Sequence, residues 1–169
     1  MKTVLFLCSG NTCRSPMAEA IAKNWVEKNQ LGADINIVSA GIMAKRGDPI
    51  SEEAAAVLEQ RQIPVPDHGA QKLTARLLEE ADLVLAMTSS QRYSVLRQSS
   101  GMAAKIFRLK AYAKQIDEIE SWQVDLDVVD PYCQPIEIYQ DCANELLELV
   151  PLALEHFLNG GDPFLVSKS

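Results

Sequence analysis

The N-terminal strand-then-helix unit constrains the fold of this chain more than any other feature. Residues 3–7 form a continuous apolar run that ends at Cys8, and a polar loop then leads to Pro16, where a helical pattern begins. An uninterrupted apolar run suits a strand covered on both faces, and proline is favoured at the start of a helix. Strands of this kind belong to parallel sheets, so we expect an α/β protein.

Strand and helix patterns continue to alternate along the chain. Three further strands are predicted, at residues 35–39, 82–86 and 105–109. Helices are predicted at residues 51–60, 73–80, 90–98 and 138–157. The repeat predicts a single doubly wound parallel sheet with helices on both faces. In such sheets ligands bind beyond the carboxyl ends of the strands, which is where the loop after Cys8 lies.

The length of the chain predicts one domain. With 169 residues it is long enough for one core, and we expect the domain to cover residues 1–159, followed by a loosely ordered tail at residues 160–169. Residues 116–130 are acidic and show no regular pattern, so an irregular segment is expected there. Pro151 is expected to kink or split the last helix.

Composition excludes several classes of function. The net charge of −7 argues against a nucleic-acid-binding protein, because phosphate backbones are bound by clustered Lys and Arg. No apolar stretch reaches membrane length, so we expect a cytoplasmic protein without membrane contact. In that compartment catalytic or redox cysteines are more common than disulfides, and the paired spacing of zinc ligands is missing. The four cysteines are Cys8, Cys13, Cys133 and Cys142.

The loop after the first strand has the composition of an anion site. It contains no acidic residue, and its N–H groups precede a helix, whose dipole adds positive potential. Arg14 supplies a planar fork of donors that suits two phosphate oxygens, and the same positive surroundings favour the thiolate form of Cys8. The predicted phosphate-binding residues are Ser9, Gly10, Asn11, Thr12, Cys13, Arg14 and Ser15.

Four segments resemble the low-molecular-weight protein tyrosine phosphatase family. The first is VLFLCSGNTCRSPMAEA at residues 4–20, and the second is VVDPYCQPIEIY at residues 128–139, which contains the Asp-Pro pair of that family. SAG at residues 39–41 and ADLVLAM at residues 81–87 extend the similarity. The resemblance implies the flavodoxin-like fold of these bacterial enzymes, and the signature is most similar to the protein-arginine phosphatase branch.

The resemblance implies a two-step hydrolysis without metal or cofactor. Cys8 attacks phosphorus while Asp130 protonates the leaving group, and water then hydrolyses the phosphocysteine with Asp130 as base. Arg14 and the loop N–H groups hold the equatorial oxygens. By the same analogy Ser15 stabilises the Cys8 thiolate and Asn11 braces the loop. Asp125 and Asp127 are alternatives for the acid, but only Asp130 precedes a proline.

Two interpretations of Cys13 remain open. A reversible disulfide between Cys8 and Cys13 would stop activity and protect the nucleophile from irreversible oxidation, and the family resemblance indicates the same role. Alternatively, Cys13 only fills space behind the loop. Cys133 and Cys142 are expected to be structural. His68 is expected to hydrogen-bond near the loops at the strand ends.

Two positions bear on the substrate. Thr12 stands where tyrosine-specific relatives usually carry a larger aliphatic residue, and its hydroxyl can bond a guanidinium or the attacking water. Residues 42–49 contain no aromatic residue to stack on a phenyl ring, whereas Tyr132 follows the Asp-Pro pair as it does in many tyrosine-specific enzymes. Together these residues favour phosphoarginine in protein substrates, with phosphotyrosine as the alternative.

Two other functions remain as less favoured alternatives. Arsenate reductases share this type of loop but need a shuttle of further cysteines, and Cys133 and Cys142 lie late in the chain for that purpose. A non-catalytic phosphate-binding module would not require both Cys8 and Asp130. The sequence indicates neither an oligomeric state nor the identity of the phosphorylated partners.

Overall fold

The sheet has four parallel strands in the order β2-β1-β3-β4. The computed structural model describes residues 1–117 and 125–160. The strands are β1 (Lys2–Cys8), β2 (Ile35–Gly41), β3 (Leu83–Ala86) and β4 (Ile106–Arg108). The α-helices of the described residues are α1 (Arg14–Lys28), α2 (Glu52–Gln60), α3 (Ala75–Glu80), α4 (Ser89–Gln98), α5 (Leu109–Lys114) and α6 (Ile136–Leu158). The predicted α/β class is confirmed.

Helices cover both faces of this sheet. Side chains alternate along β1, so Val4 and Phe6 point to one face and Leu5 and Leu7 to the other, and all four are fully buried. The first face packs against α1, α2, α5 and α6. The second packs against α3 and α4. This is the doubly wound arrangement that the sequence predicts.

The elements around the first loop extend further than predicted. Strand β2 continues to Gly41 because the last pair of its ladder with β1 is Cys8 opposite Gly41. Helix α1 begins at Arg14, two residues before Pro16. Proline lacks only an N–H that the first helical turn leaves unpaired, so it is tolerated there. The earlier start of α1 shortens the loop between β1 and α1 to residues 9–13.

The other predicted α-helices are present within two residues of their predicted ends, and the structure adds α5 and a 3₁₀ helix at Ser100–Lys105. The side chain of Ser51 accepts a hydrogen bond from Ala54 N and caps α2. The strand predicted at residues 105–109 ends at Arg108, and α5 follows it directly. Helix α5 was not predicted, because it begins directly at the end of the strand and its N-cap residue, Arg108, gives no side-chain capping signal.

Helix α6 is continuous through Pro151 and is not split. Proline at this position deprives the carbonyl of Leu147 of its usual hydrogen bond. Leu147 is exposed, so water can take the place of the lost donor. Leu146 and Leu149, which are fully buried on the other side of the helix, keep both halves packed on the core.

Two predicted irregular segments lie partly outside the described residues. Residues 125–130 contain neither helix nor strand, as expected, and residues 118–124 are not described. Of the predicted tail, only Gly160 belongs to the described part of the chain. The boundary at residue 159 therefore stays a prediction.

Candidate active site

The loop between β1 and α1 curls around the sulfur of Cys8. Cys8 is the last residue of β1 and only 3% exposed, and its sulfur lies 3.2 Å from the backbone nitrogen of Asn11, which donates to it. The hydroxyl oxygen of Ser15 lies 2.9 Å from the same sulfur. The Asn11 N–H and the Ser15 hydroxyl are thus both within hydrogen-bond reach of this sulfur.

The hydrogen-bond pattern determines which way the Ser15 hydroxyl points. Ser15 Oγ accepts a hydrogen bond of 2.9 Å from Asn11 Nδ2. Its own hydrogen therefore remains for the sulfur of Cys8 or for the carbonyl of Ala40, which is 3.5 Å away. The sulfur is the nearer acceptor and, as a thiolate, the stronger one.

Asn11 has the left-handed backbone conformation that closes the loop. Its φ is 56°, a value that asparagine tolerates better than most residues. The side chain is fully buried and donates to Ser15 and Ser39, while its oxygen accepts from the backbone nitrogen of Gln71. His68 Nε2 lies 2.7 Å from the Asn11 carbonyl oxygen. These contacts fit the predicted bracing role of Asn11 and the predicted place of His68.

Gly41 allows β2 to approach this loop closely. A Cβ atom at this position would lie 2.6 Å from the carbonyl oxygen of Ser9 and 2.9 Å from Asn11 N. Both atoms belong to the backbone, which cannot move away without distorting the loop. The glycine of the SAG segment is therefore required by the geometry of the Cys8 loop.

Arg14 connects the loop to the segment that contains Asp130. Its Nη2 lies 2.9 Å from Asp130 Oδ2, and its Nη1 donates a 3.0 Å hydrogen bond to the carbonyl of Val128. Arg14 itself is buried, whereas the Asp130 side chain is about half exposed. The guanidinium has five N–H donors in total, so donors remain for an anion in the cleft.

One cleft brings most of the predicted residues together. Its volume is about 360 Å³, and we call it the Cys8 cleft. It is lined by Cys8, Ser9, Gly10, Thr12, Cys13, Arg14, Met43, Lys45, Asp48, Asp130 and Tyr132. Asn11 and Ser15 do not line it, because their side chains are buried behind the loop. Only their backbone groups are in a position to contribute to anion binding.

Asp125 and Asp127, the alternatives to Asp130 as the general acid, lie outside the Cys8 cleft. Asp127 Oδ1 accepts a 2.8 Å hydrogen bond from the backbone nitrogen of Ser89 and lies 3.3 Å from Arg108 Nη1. Asp125 accepts from the backbone nitrogen of Asp127. Neither residue lines the Cys8 cleft, so the geometry favours Asp130 over both.

Met43, Lys45 and Asp48 line the rim of the Cys8 cleft and were not predicted. They follow β2 in the chain. The sequence indicates only that this rim lacks an aromatic residue, and the exposed side chain of Met43 stands there instead. Tyr132, which is 64% exposed, is the aromatic residue among the described residues that line the cleft.

The cysteines other than Cys8 differ in their surroundings. Cys13 is buried, with its sulfur 3.4 Å from Ser51 Oγ and 3.7 Å from the hydroxyl of Tyr139. Burial raises the pKa of Cys142 to about 12, so this thiol on α6 is unreactive. Cys133 is exposed and fills no core space. The structural role expected of both late cysteines therefore fits Cys142 alone.

The described residues contain neither a candidate metal site nor a candidate membrane span. Residues 1–117 and 125–160 contain no group of three or more His, Cys, Asp or Glu side chains arranged to hold a metal ion. None of the helices described above combines the length and the apolar character needed to cross a membrane.

Comparisons with known proteins identify close relatives. The family model for low molecular weight phosphotyrosine protein phosphatase matches residues 3–157. A protein-arginine-phosphatase of Bacillus subtilis (strain 168) is 37% identical over 147 residues, which cover 87% of this chain and 91% of the relative. The solved low molecular weight protein tyrosine phosphatase from T. tengcongensis is 40% identical, with a TM-score of 0.80 over 92% of this chain and 99% of that one.

A further solved structure is also similar to this chain. It is a mutant of the arginine phosphatase YwlE with a phosphorylated active-site serine. It is 35% identical to this chain, with a TM-score of 0.80 over 92% of this chain and 95% of that one.

Proposed function

Because the chain belongs to the low molecular weight phosphotyrosine protein phosphatase family, we propose that it removes phosphate from phosphorylated protein side chains, with phosphoarginine preferred. The observation that supports this most strongly is the position of Cys8. Its sulfur accepts from Asn11 N, lies 2.9 Å from the Ser15 hydroxyl, and shares one cleft with Arg14 and Asp130.

The first step transfers the phosphoryl group to Cys8. The thiolate forms a bond to phosphorus while the bond from phosphorus to the leaving nitrogen or oxygen breaks, and a proton on Asp130 passes to the leaving atom. Arg14 and the N–H groups of residues 9–15 stabilise the charge on the equatorial oxygens. The phosphorylated active-site serine of the related YwlE mutant supports covalent transfer to the protein.

The second step releases phosphate. Asp130 accepts a proton from a water molecule whose oxygen attacks phosphorus, and the bond between sulfur and phosphorus breaks to restore the Cys8 thiolate. The hydrogen bond from Ser15 stabilises the departing sulfur anion. The contacts of Arg14 with Val128 and Asp130 keep the acid close to the loop in both steps.

The residues around the Cys8 cleft support phosphoarginine as the substrate. Asp48 and the hydroxyl of Thr12 both line the cleft, and a carboxylate and a hydroxyl are acceptors for the N–H groups of a guanidinium. Met43 stands on the rim where an aromatic wall would favour a phenyl ring. Phosphotyrosine remains the second candidate because Tyr132 also lines the cleft.

The experiment that tests this proposal is phosphate release from two matched peptides, one with phosphoarginine and one with phosphotyrosine. Cys8→Ser protein serves as the blank. We expect faster release from the phosphoarginine peptide. Equal or faster release from the phosphotyrosine peptide would contradict the substrate assignment and leave the phosphatase proposal intact. Release no faster than the blank from either peptide would contradict the phosphatase proposal itself.

Replacing Thr12 by isoleucine should shift the preference toward phosphotyrosine. The change removes an acceptor for guanidinium N–H groups and adds apolar surface for a ring, so we expect the ratio of kcat/KM values for the two peptides to change about tenfold. Thr12→Val keeps the branched shape without the hydroxyl and separates the two effects. An unchanged ratio in both variants would remove Thr12 from the specificity assignment.

We also propose that Cys13 protects Cys8 during oxidation. Peroxide oxidises the Cys8 thiolate to a sulfenic acid, and attack by the Cys13 sulfur forms the disulfide and releases water. Both cysteines line the Cys8 cleft, and neither is in a disulfide in the structure. A thiol reductant then restores both thiols.

Cys13→Ser should therefore lose recovery after oxidation. Wild-type protein inactivated by hydrogen peroxide is expected to regain most of its activity with dithiothreitol, whereas Cys13→Ser regains little because Cys8 proceeds to the sulfinic acid. Cys133→Ser, the same change at an exposed thiol, is the control. Full recovery of Cys13→Ser would leave Cys13 with a packing role only.

The remaining thiols do not support an arsenate reductase. Such an enzyme needs further reactive cysteines near the nucleophile. Cys142 is buried with a raised pKa, and Cys133 does not line the Cys8 cleft.

A further inference from the structure

Gln91 is a buried polar residue that the proposed mechanism does not use. It lies in the first turn of α4 and is only 4% exposed. Its side-chain oxygen accepts hydrogen bonds of 3.1 Å from the backbone nitrogens of Met87 and Thr88. Its amide nitrogen donates a 3.1 Å hydrogen bond to the hydroxyl oxygen of Ser9. One side chain thus joins the start of α4 to the Cys8 loop.

The orientation of the Gln91 amide follows from its partners. Two backbone N–H groups face its oxygen, and an N–H group can only donate. If the amide turned over, its own hydrogens would oppose those of Met87 and Thr88. The backbone nitrogen of Met87 would keep its hydrogen bond to the carbonyl of Leu7, but that of the partly buried Thr88 would lose its acceptor. The amide nitrogen must therefore face Ser9.

This orientation determines the role of the Ser9 hydroxyl. Because its oxygen accepts from Gln91, its hydrogen must point elsewhere, and within the described residues no hydrogen bond has this hydroxyl as donor. Ser9 lines the Cys8 cleft, where the proposed function places a phosphoryl group. Such a group offers only acceptors to the protein when it is fully ionised.

We propose that Gln91 is a positioning residue that makes the Ser9 hydroxyl a hydrogen-bond donor to the phosphoryl group of the substrate. Gln91 does not touch the substrate, and its effect passes through Ser9. The inference rests on the proposed function, because it takes the Cys8 loop as the phosphate site. It adds a side-chain donor to the backbone N–H groups and to Arg14.

The variant Gln91→Glu tests the proposal. One carboxylate oxygen keeps the contacts with Met87 and Thr88, whereas the other replaces the donor to Ser9 by an acceptor and takes the hydrogen of that hydroxyl. We expect the inhibition constant of inorganic phosphate, measured with an aryl phosphate substrate, to rise about tenfold with little change in melting temperature. Ser9→Ala should weaken phosphate inhibition to a similar extent.

The double variant distinguishes this effect from simple charge repulsion. In the Ser9→Ala background, Gln91→Glu should change the inhibition constant by less than about twofold, because the two changes remove one shared interaction. Gln98→Glu adds the same negative charge at an exposed position of α4, and it should leave the inhibition constant of phosphate unchanged. If Gln91→Glu does not fold, Gln91→Asn, whose amide is one methylene shorter, replaces it in the same cycle.

Three results would overturn the inference while the phosphatase proposal stands. They are unchanged phosphate inhibition in Ser9→Ala, unchanged inhibition in the Gln91 variant, and a full Gln91 effect in the Ser9→Ala background. A parent protein without Cys8-dependent turnover would instead overturn the proposed function and this inference with it.

Discussion

Cys8→Ser is expected to lower turnover by at least about 10⁴-fold, since loss of a nucleophile removes the covalent route altogether. Binding of inorganic phosphate should be largely retained, because Arg14 and the loop N–H groups are unchanged. Serine fits the site of Cys8 and keeps a hydrogen-bonding group beside Ser15 and Asn11. Phosphate release from an aryl phosphate measures turnover, and titration calorimetry with phosphate measures binding.

The matched control is Cys133→Ser, which makes the same change at an exposed thiol. We expect its turnover to equal that of the parent protein. Turnover of Cys8→Ser within tenfold of the parent would contradict the phosphocysteine mechanism. Loss of phosphate binding together with turnover would indicate that the loop had collapsed, and the melting temperature of the variant would then fall.

Asp130→Asn is expected to slow the reaction most for substrates whose leaving group needs a proton. The value of kcat/KM reports the steps through the first chemical one, and a general acid contributes about 10²- to 10⁴-fold there. The leaving nitrogen of a phosphoarginine peptide needs a proton, so kcat/KM for this substrate should fall by close to the full factor. The phenolate that leaves p-nitrophenyl phosphate needs no proton, so kcat/KM for this substrate should fall far less.

The neighbouring carboxylate provides the control for this prediction. Asp127→Asn changes a residue that bonds Ser89 N and Arg108 and does not line the Cys8 cleft. It should affect both substrates equally and weakly. Equal losses for good and poor leaving groups in Asp130→Asn would exclude Asp130 as the acid and would assign its effect to the ion pair with Arg14.

Local sequence was sufficient to predict the Cys8 loop. A buried strand, a polar loop without acids, and Arg14 and Pro16 at the start of a helix lie within a few residues of one another, so their relative positions follow from backbone geometry. The alternation of strand and helix patterns also predicted the parallel sheet, because each pattern can be recognised within a short stretch of sequence. The order β2-β1-β3-β4 was not predicted, because it depends on the packing of segments far apart in the chain.

The parts that sequence analysis missed depend on contacts between distant segments. Gly41 approaches Ser9 across the ladder of β1 with β2, and the backbone of Gln71 reaches Asn11 from 60 residues away. Gln91 contacts Ser9 across a separation of 82 residues. Each of these residues is ordinary in its local sequence, and only the folded sheet shows what it contacts.

The measurement that tests the central claim most directly is the location of the phosphate in a trapped enzyme. Asp130→Asn, mixed with p-nitrophenyl phosphate, should form the phosphoenzyme readily and hydrolyse it slowly, because the second step lacks its base. Mass spectrometry of the quenched and digested protein should find one phosphate, on the peptide that contains Cys8. Turnover without any phosphoenzyme, or phosphate on another residue, would contradict the account.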